Sequence, residues 1–274
     1  MNNEFDEPAF KTFERDGYSR VAESYANKTA KVTAQVNIAV LNAVGTTAGM
    51  DFLDVACGPG FLTAEALGRG ANVTAIDFSP NMVALARTRN RNARILEADA
   101  ENLPFEDGAF SAVVCNLGIL HFARPEQAVA EAFRVLRPGG RYAFTCWTSP
   151  SENPFMGLIL GSIQKHGTLD VDLPEGPPLF RFGDSNECKG VLLDVGFDKV
   201  STSEAPLVWP FATPTEFVQE LSTSTARLGP LLAAQSDLAR GKIEQEIMDG
   251  AKAYLTEDGG KIPSALIVAT GLKP

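Results

Sequence analysis

Two spacings of apolar residues alternate along the middle of the chain. Short, nearly continuous apolar runs occur at Phe52-Leu53-Asp54-Val55, Val73-Thr74-Ala75-Ile76-Asp77, Ala93 to Leu96, Ser111 to Cys115 and Arg141 to Cys146. Such runs predict strands of a parallel sheet, buried on both faces. Between them, apolar residues recur at helical spacing from Phe61 to Leu67, from Ser79 to Asn90 and from Pro125 to Leu136. Ser79 is a good N-cap with Pro80 at the first helical position, and Arg137-Pro138-Gly139-Gly140 stops the third helix. Alternation of strand and helix over residues 50–146 is the signature of a doubly wound parallel sheet.

The flanks read differently. Residues 1 to about 28 form a polar and aromatic arm with Phe5, Phe10, Phe13, Tyr18 and Tyr25, expected to be partly mobile without ligand. Val32, Val36, Ala39, Val40, Ala43 and Val44 predict one covering helix from Lys31 to Val44. Past Trp147, Phe155 to His166 predicts an unusually apolar helix. Asp184 caps a helix ending before Gly196, and a strand follows to about Pro206. Residues 213–255 read as mainly helical and Ile262 to Leu272 as a last strand. The expected division is an arm and covering helix over 1–48, a core over 49–146, and a cap segment over 147–183. A core helix and strand over 184–206, cap helices over 207–260 and a last core strand over 261–274 complete it.

Candidate chemistry centres on Leu53-Asp54-Val55-Ala56-Cys57-Gly58-Pro59-Gly60. Gly58 and Gly60 allow a tight turn and a close approach to a ligand, and the next helix aims its N-terminal amides at the same spot. A glycine turn serves many cofactors, but three acids narrow the choice. Asp54 before the turn opposes a pyrophosphate and suits an ammonium group. Asp77 closes the next strand and suits a ribose diol. Asp99 follows the third strand. A ligand with amine, diol and adenine amino donors is S-adenosylmethionine (SAM).

The stretches LDVACGPG (53–60), AIDFSPNMVALAR (75–87), EADAENLPFEDGAFSAVVC (97–115) and FRVLRPGGRYAF (133–144) resemble, in order and spacing, the class I SAM-dependent methyltransferases. The likeness is to the branch that includes the ubiquinone/menaquinone biosynthesis enzymes. It implies an α/β, Rossmann-like, doubly wound, mostly parallel seven-stranded sheet with an α-helical cap over the cofactor edge. It also implies that the last strand inserts antiparallel between the previous two. By the same resemblance, Ala56, Gly58 and Gly60 line the methionine moiety, and Asp54 sits near its ammonium group. Asp77 accepts from the ribose hydroxyls, with Phe78 and Met82 beside the adenine. Asp99 and the Ala100 amide meet the adenine, and the Asn116 and Leu117 carbonyls face the ammonium group. Tyr18 or Tyr25, from an arm folded over the cofactor, donates to the methionine carboxylate. Ala56 stands where the family has its first turn glycine, a small change provided that residue keeps φ negative.

Length and charge bound the rest. With 274 residues, 45% of them hydrophobic, the chain can bury a full core as one domain, with or without a subdomain. A formal net charge of −10 disfavours nucleic acid and anionic membranes. The four cysteines show no Cys-x-x-Cys spacing, Met1-Asn2-Asn3-Glu4 has no basic n-region, and no apolar run is long enough to span a bilayer. A cytoplasmic enzyme with reduced thiols and no bound metal is the expectation, monomeric or homodimeric.

Methyl transfer is an in-line displacement that needs positioning more than a strong base. His121, after the fourth strand, is the best candidate base; the alternative is that it holds the strand tip in shape. His166 reads as a helix-end residue. Cys57, Cys115 and Cys146 fall at strand ends, a weak hint of metalloid chemistry that ordinary burial of cysteine explains as well. Trp147, Phe155, Met156, Ile159 and Phe180 suggest either an apolar acceptor pocket or cap packing. The small-molecule acceptor would be methylated on O, N or C. Two alternatives are an NAD(P)-type oxidoreductase, opposed by Asp54, Asp99 and the lack of a Tyr-x-x-x-Lys pair, and a non-catalytic SAM-binding regulatory protein.

Overall fold

The computed structural model describes residues 5–274; residues 1–4, the start without a basic n-region, lie outside the described residues. Five parallel strands carry the core: β1 (Asp51–Val55), β2 (Asn72–Asp77), β3 (Arg94–Glu97), β4 (Phe110–Asn116) and β5 (Leu136–Trp147). β6 (Asp198–Phe211), a two-residue β7 (Leu255–Thr256) and β8 (Gly259–Leu272) follow. The order is β3-β2-β1-β4-β5-β8-β6, with β8 antiparallel to both β5 and β6, as expected for the last strand. Connections reverse between β1 and β4, which makes their carboxyl ends the natural ligand edge.

Helices cover both faces: α1 (Glu7–Asn27), α2 (Thr29–Thr33), α3 (Asn37–Ala43), α4 (Phe61–Gly68), α5 (Pro80–Arg89), α6 (Pro125–Val135), α7 (Pro154–His166), α8 (Ser185–Val195), α9 (Pro214–Thr223), α10 (Leu228–Ala233) and α11 (Asp237–Ala251). The caps match the sequence: the Ser79 hydroxyl accepts from the Met82 amide, Asp184 from Asn186 and Thr213 from Glu216. Three differences from the expected elements stand out. The aromatic arm is a regular helix, α1, started by Asp6, whose side chain accepts from the Ala9 amide. The single covering helix is broken into α2, a 3₁₀ turn at Ala34–Val36 and α3. β6 runs five residues past Pro206, because Leu207, Trp209 and Phe211 alternate inward while their neighbours stay exposed. Pro206 and Pro210 are tolerated there because β6 is the sheet's edge strand.

That extension creates a second core. Trp209 stacks on Phe155 of α7 at 4.1 Å between ring centroids, and Phe217, Ile243 and Ile247 from α9 and α11 close around them. The first core lies between the sheet and α6 and α8, where Phe197 stacks on Tyr142 at 5.7 Å and meets Phe133 edge-on at 4.9 Å. Among the described residues no helix is long and apolar enough to cross a membrane.

Phe197 is 1% exposed. Phe197→Ala should therefore cost about 3–5 kcal/mol, since the rings around it cannot collapse into the space left. An unfolding free energy from denaturant titration lowered by less than about 1 kcal/mol would show that this corner is not part of the core.

Candidate active site

The carboxyl ends of β1, β2 and β4 open onto a narrow slot. Lys11, Ile76, Asp77, Phe78, Met82, Asp99, Ala100, Glu101, Gly118 and Phe122 line it, with Tyr18, Tyr25, Ala56, Gly58, Asn116, Leu117 and His121. An adjoining recess carries Asp54, Asn37 and Thr33 and shares Tyr25, Ala56, Gly58 and Asn116 with the slot. Every expected site residue except Gly60 lines one or the other. Gly60 serves packing instead: a Cβ there would meet the Asn90 amide nitrogen at 2.3 Å and Ala86 of α5 at 3.2 Å. Its φ of +79° at the start of α4 suits glycine for a second reason.

The expectation for Ala56 is corrected. Its φ is +56°, in the left-handed region where a Cβ is crowded, so alanine stands where the turn still has a glycine conformation. Leu117, at the tip of β4, is likewise at +58°. Hydrogen bonds pin that tip. The Leu117 amide donates to the Thr145 hydroxyl at 2.9 Å, and that hydroxyl donates to Asn116 Oδ1 at 2.6 Å. Asn116 Nδ2 in turn donates to Asn37 Oδ1 at 3.1 Å. Two strained non-glycine residues on one ligand edge mark a functional surface more than a packing one.

The acids differ sharply in environment. Asp54 is buried beneath the turn, and its one side-chain partner is the Thr63 hydroxyl, which donates to Oδ2 at 2.6 Å. Burial pushes its carboxyl up to about 7, with the Thr63 bond pulling the other way and Asp77 adding repulsion. Asp77 accepts from the Gly58 amide at 2.8 Å and the Ser79 amide at 2.9 Å. Burial still pushes it up to about 6 against those two bonds. Asp99 is half-exposed; Lys11 donates to its Oδ2 at 2.8 Å and the Glu101 amide to its Oδ1 at 2.9 Å. Lys11 also reaches buried Glu101 at 2.7 Å, tying α1 to the loop after β3.

The two candidate tyrosines of the arm have different partners: the Tyr18 hydroxyl meets His121 Nε2 at 2.7 Å, and the Tyr25 hydroxyl meets the Thr33 side chain. His121 Nδ1 faces Glu14 Oε2 at 2.9 Å, and the other Glu14 oxygen is ion-paired with Arg227. Lys11, Glu14 and Arg227 were not singled out from sequence. The cysteines do not gather: Cys146 faces Cys188 at 4.0 Å, away from Cys57, whose thiol turns toward the Gly58 carbonyl. His166 ends α7 against Glu246 at 3.2 Å.

Beyond the slot lies a second, larger cavity of about 900 Å³ under the cap. Trp147, Phe155, Met156, Ile159 and Phe180 all line it, with Trp209, Leu228 and Arg227. Tyr18, Tyr25, Leu117 and His121 line both spaces, so these four side chains form the wall where they meet.

Residues 53–144 match the family model described as a methyltransferase domain. The matched stretch runs from β1 into β5, the parallel part of the sheet, and is similar to a methyltransferase domain. A demethylmenaquinone methyltransferase of Thermus thermophilus is 44% identical over 113 residues, 39% of this chain and 51% of that protein. One from Renibacterium salmoninarum is 35% identical over 116 residues, 42% of this chain and 49% of that protein. The chain thus spans about half the length of the curated relatives it matches. Among solved structures, the cyclase SpnF superposes with a TM-score of 0.56 at 21% identity, covering 88% of this chain and 81% of that one. A Haemonchus contortus phosphoethanolamine N-methyltransferase in complex with SAM gives 0.52 at 19%, covering 87% and 52%. These two likenesses show the fold alone, and a cyclase among them illustrates that the fold does not fix the reaction.

Two outcomes follow from the burial and the backbone. The folded Asp54 binds its proton more tightly than the unfolded chain, whose aspartate ionises near 3.8. Its contribution to stability is full below pH 4 and is lost as pH rises to about 7. Asp54→Asn should flatten that part of the stability–pH curve by on the order of a few kcal/mol, and parallel curves for the two proteins would contradict it. Ala56→Gly should raise the melting free energy by up to about 1 kcal/mol by relieving the left-handed alanine; a loss of stability would contradict the strain.

Proposed function

We propose that the chain is a SAM-dependent methyltransferase that moves a methyl group to O, N or C of a bulky, largely apolar small molecule. The carrying observation is the shared wall: a slot of buried carboxylates meets an aromatic cavity at Tyr18, Tyr25, Leu117 and His121. A binding protein without turnover has no use for the second space.

The donor set fits this cofactor. Asp54 and Asp77 are buried carboxylates pushed up toward neutrality, and a ligand bringing an ammonium group and two hydroxyls supplies the charge and donors they lack. Asp54, with the Asn116 and Leu117 carbonyls, takes the ammonium group. Asp77 keeps a free lone pair on each oxygen for the ribose hydroxyls, beyond the bonds from Gly58 and Ser79. Phe78 and Met82 flank the adenine, while Asp99 and the Ala100 amide meet its polar edge. Tyr25 serves the methionine carboxylate. A dinucleotide fits less well, because Asp54 beneath the turn repels a pyrophosphate.

Bound SAM supplies an activated methyl group on a cationic sulfur. The chain's own part is to hold, orient and dry the encounter. α1 lies across the slot, fastened by Lys11 at one end and by Ser19, whose carbonyl accepts from Asn81 at 2.8 Å. Held in line, the two reactants gain on the order of 7–11 kcal/mol over free encounter. The acceptor cavity, at about 900 Å³, is at the upper end of small-molecule sites. Of its lining, only Leu117, Leu120 and His121 fall within the matched residues 53–144. The aromatic walls suit a ring compound of the quinone type that the curated relatives' names specify, yet the walls themselves belong to this chain's flanking segments.

Calorimetry with SAM and with NADH tests the cofactor: SAM should bind and NADH should not. Asp77→Ala should weaken SAM by more than about 1 kcal/mol, since an acceptor of two hydroxyls is lost. Unchanged affinity in a folded variant would remove Asp77 from the site.

A further inference from the structure

The wall between the two cavities is backed by polar groups that positioning alone does not use. Glu14 is 0% exposed and lines neither cavity. Its Oε2 and His121 Nδ1 lie 2.9 Å apart, slightly off the line of a formed hydrogen bond, and neither buried atom has another partner. Burial alone would push the Glu14 carboxyl up; the His121 ring and the Arg227 guanidinium outweigh it and hold Glu14 below its usual range, hence ionised. An ionised carboxylate only accepts, so it places the ring proton on Nδ1 and turns the Nε2 lone pair to Tyr18. The Tyr18 hydroxyl donates to that nitrogen at 2.7 Å, with the two rings edge-on at 4.9 Å. The order is buried carboxylate, imidazole, hydroxyl at the reaction wall, the logic by which a base is oriented in many transfer enzymes.

We propose that Glu14, His121 and Tyr18 form a proton relay that takes the proton from a hydroxyl-bearing acceptor, a phenol or enol, during methyl transfer. The inference rests on the methyltransferase reading above. The acceptor's O–H proton passes to Tyr18 Oη as Tyr18's own proton passes to His121 Nε2. The oxygen's freed electron pair forms the bond to the methyl carbon, whose old bonding pair stays on sulfur. Tyr18 ends neutral, in keeping with a phenol that burial pushes well above its ordinary range. The imidazolium rests beside Glu14 and gives its proton to solvent once the product leaves. Glu14 touches no substrate and is a positioning residue; Arg227 keeps it charged. Asp77 and Tyr25 are the other ionisable groups facing this cluster.

The chain has two histidines, so His121 and His166 give separable ring signals, assigned with His166→Gln. In ¹⁵N-histidine-labelled protein without cofactor, His121 should show a protonated Nδ1 and a bare Nε2. In Glu14→Gln the new amide's oxygen stays with Arg227 and its NH₂ faces Nδ1, so the proton should move to Nε2. A milder variant, Tyr18→Phe, should shift the Nε2 signal alone. 4-Nitrophenol, whose anion is yellow, serves as the hydroxyl probe. Its ionisation in the cavity should be favoured by about one pKa unit in the native protein relative to either variant. An Nε2-protonated native ring, or equal probe ionisation in all three proteins, overturns the relay. SAM affinity on the same samples separates the outcomes: intact SAM binding with a failed relay leaves the methyltransferase reading standing.

Discussion

A single carboxylate with no exposure to water constrains the arrangement of the whole ligand edge. Removing Glu14 from solvent costs several kcal/mol unless opposite charge and hydrogen bonds meet it. Its partners come from distant segments: Arg227 lies 213 residues away, in the turn between α9 and α10, and His121 sits after the tip of β4. α1 therefore docks stably only when the cap and the sheet are both in place. Docking delivers Tyr18 and Tyr25 to the wall between the slot and the large cavity. Gly17, one turn on, lets α1 approach closely: a Cβ there would meet Ala226 at 3.3 Å.

The edge beneath α1 is held in an unrelaxed state. Ala56 and Leu117 occupy left-handed backbone, and Asp54 and Asp77 are carboxylates that burial has driven toward the neutral form. None of these features helps the chain fold. Each is offset by the well-packed sheet behind it, where Leu53, Val113 and Phe144 are fully buried. On the function proposed above, a cationic ligand with a diol would relieve the acids and draw part of its binding free energy from strain and desolvation stored at the edge.

The central fold was legible because it depends on local patterns. Continuous apolar runs, capping residues such as Ser79 and Thr213, and the glycine turn each fix structure within a few residues. The family likeness supplied the antiparallel last strand. What sequence reading missed is non-local. The φ of Ala56 is set by the strand and helix it must join, not by its side chain. β6 continues past Pro206 because Trp209 has a ring, Phe155, waiting on α7. Lys11 and Arg227 look like ordinary surface cations until the fold brings acids 88 and 213 residues away beside them. Glu14 left one readable trace: it falls on the buried stripe of α1 between Phe10 and Gly17, where a charge has no business without a partner.

The position of the nucleoside relative to the wall decides whether the slot and the large cavity work together. A crystal structure with S-adenosylhomocysteine bound tests this most directly. The expected result is adenine beside Met82 and Asp99, ribose on Asp77, and the sulfur at Leu117 and His121, facing the large cavity. Density for the nucleoside elsewhere, or a sulfur turned away from that cavity, would contradict it.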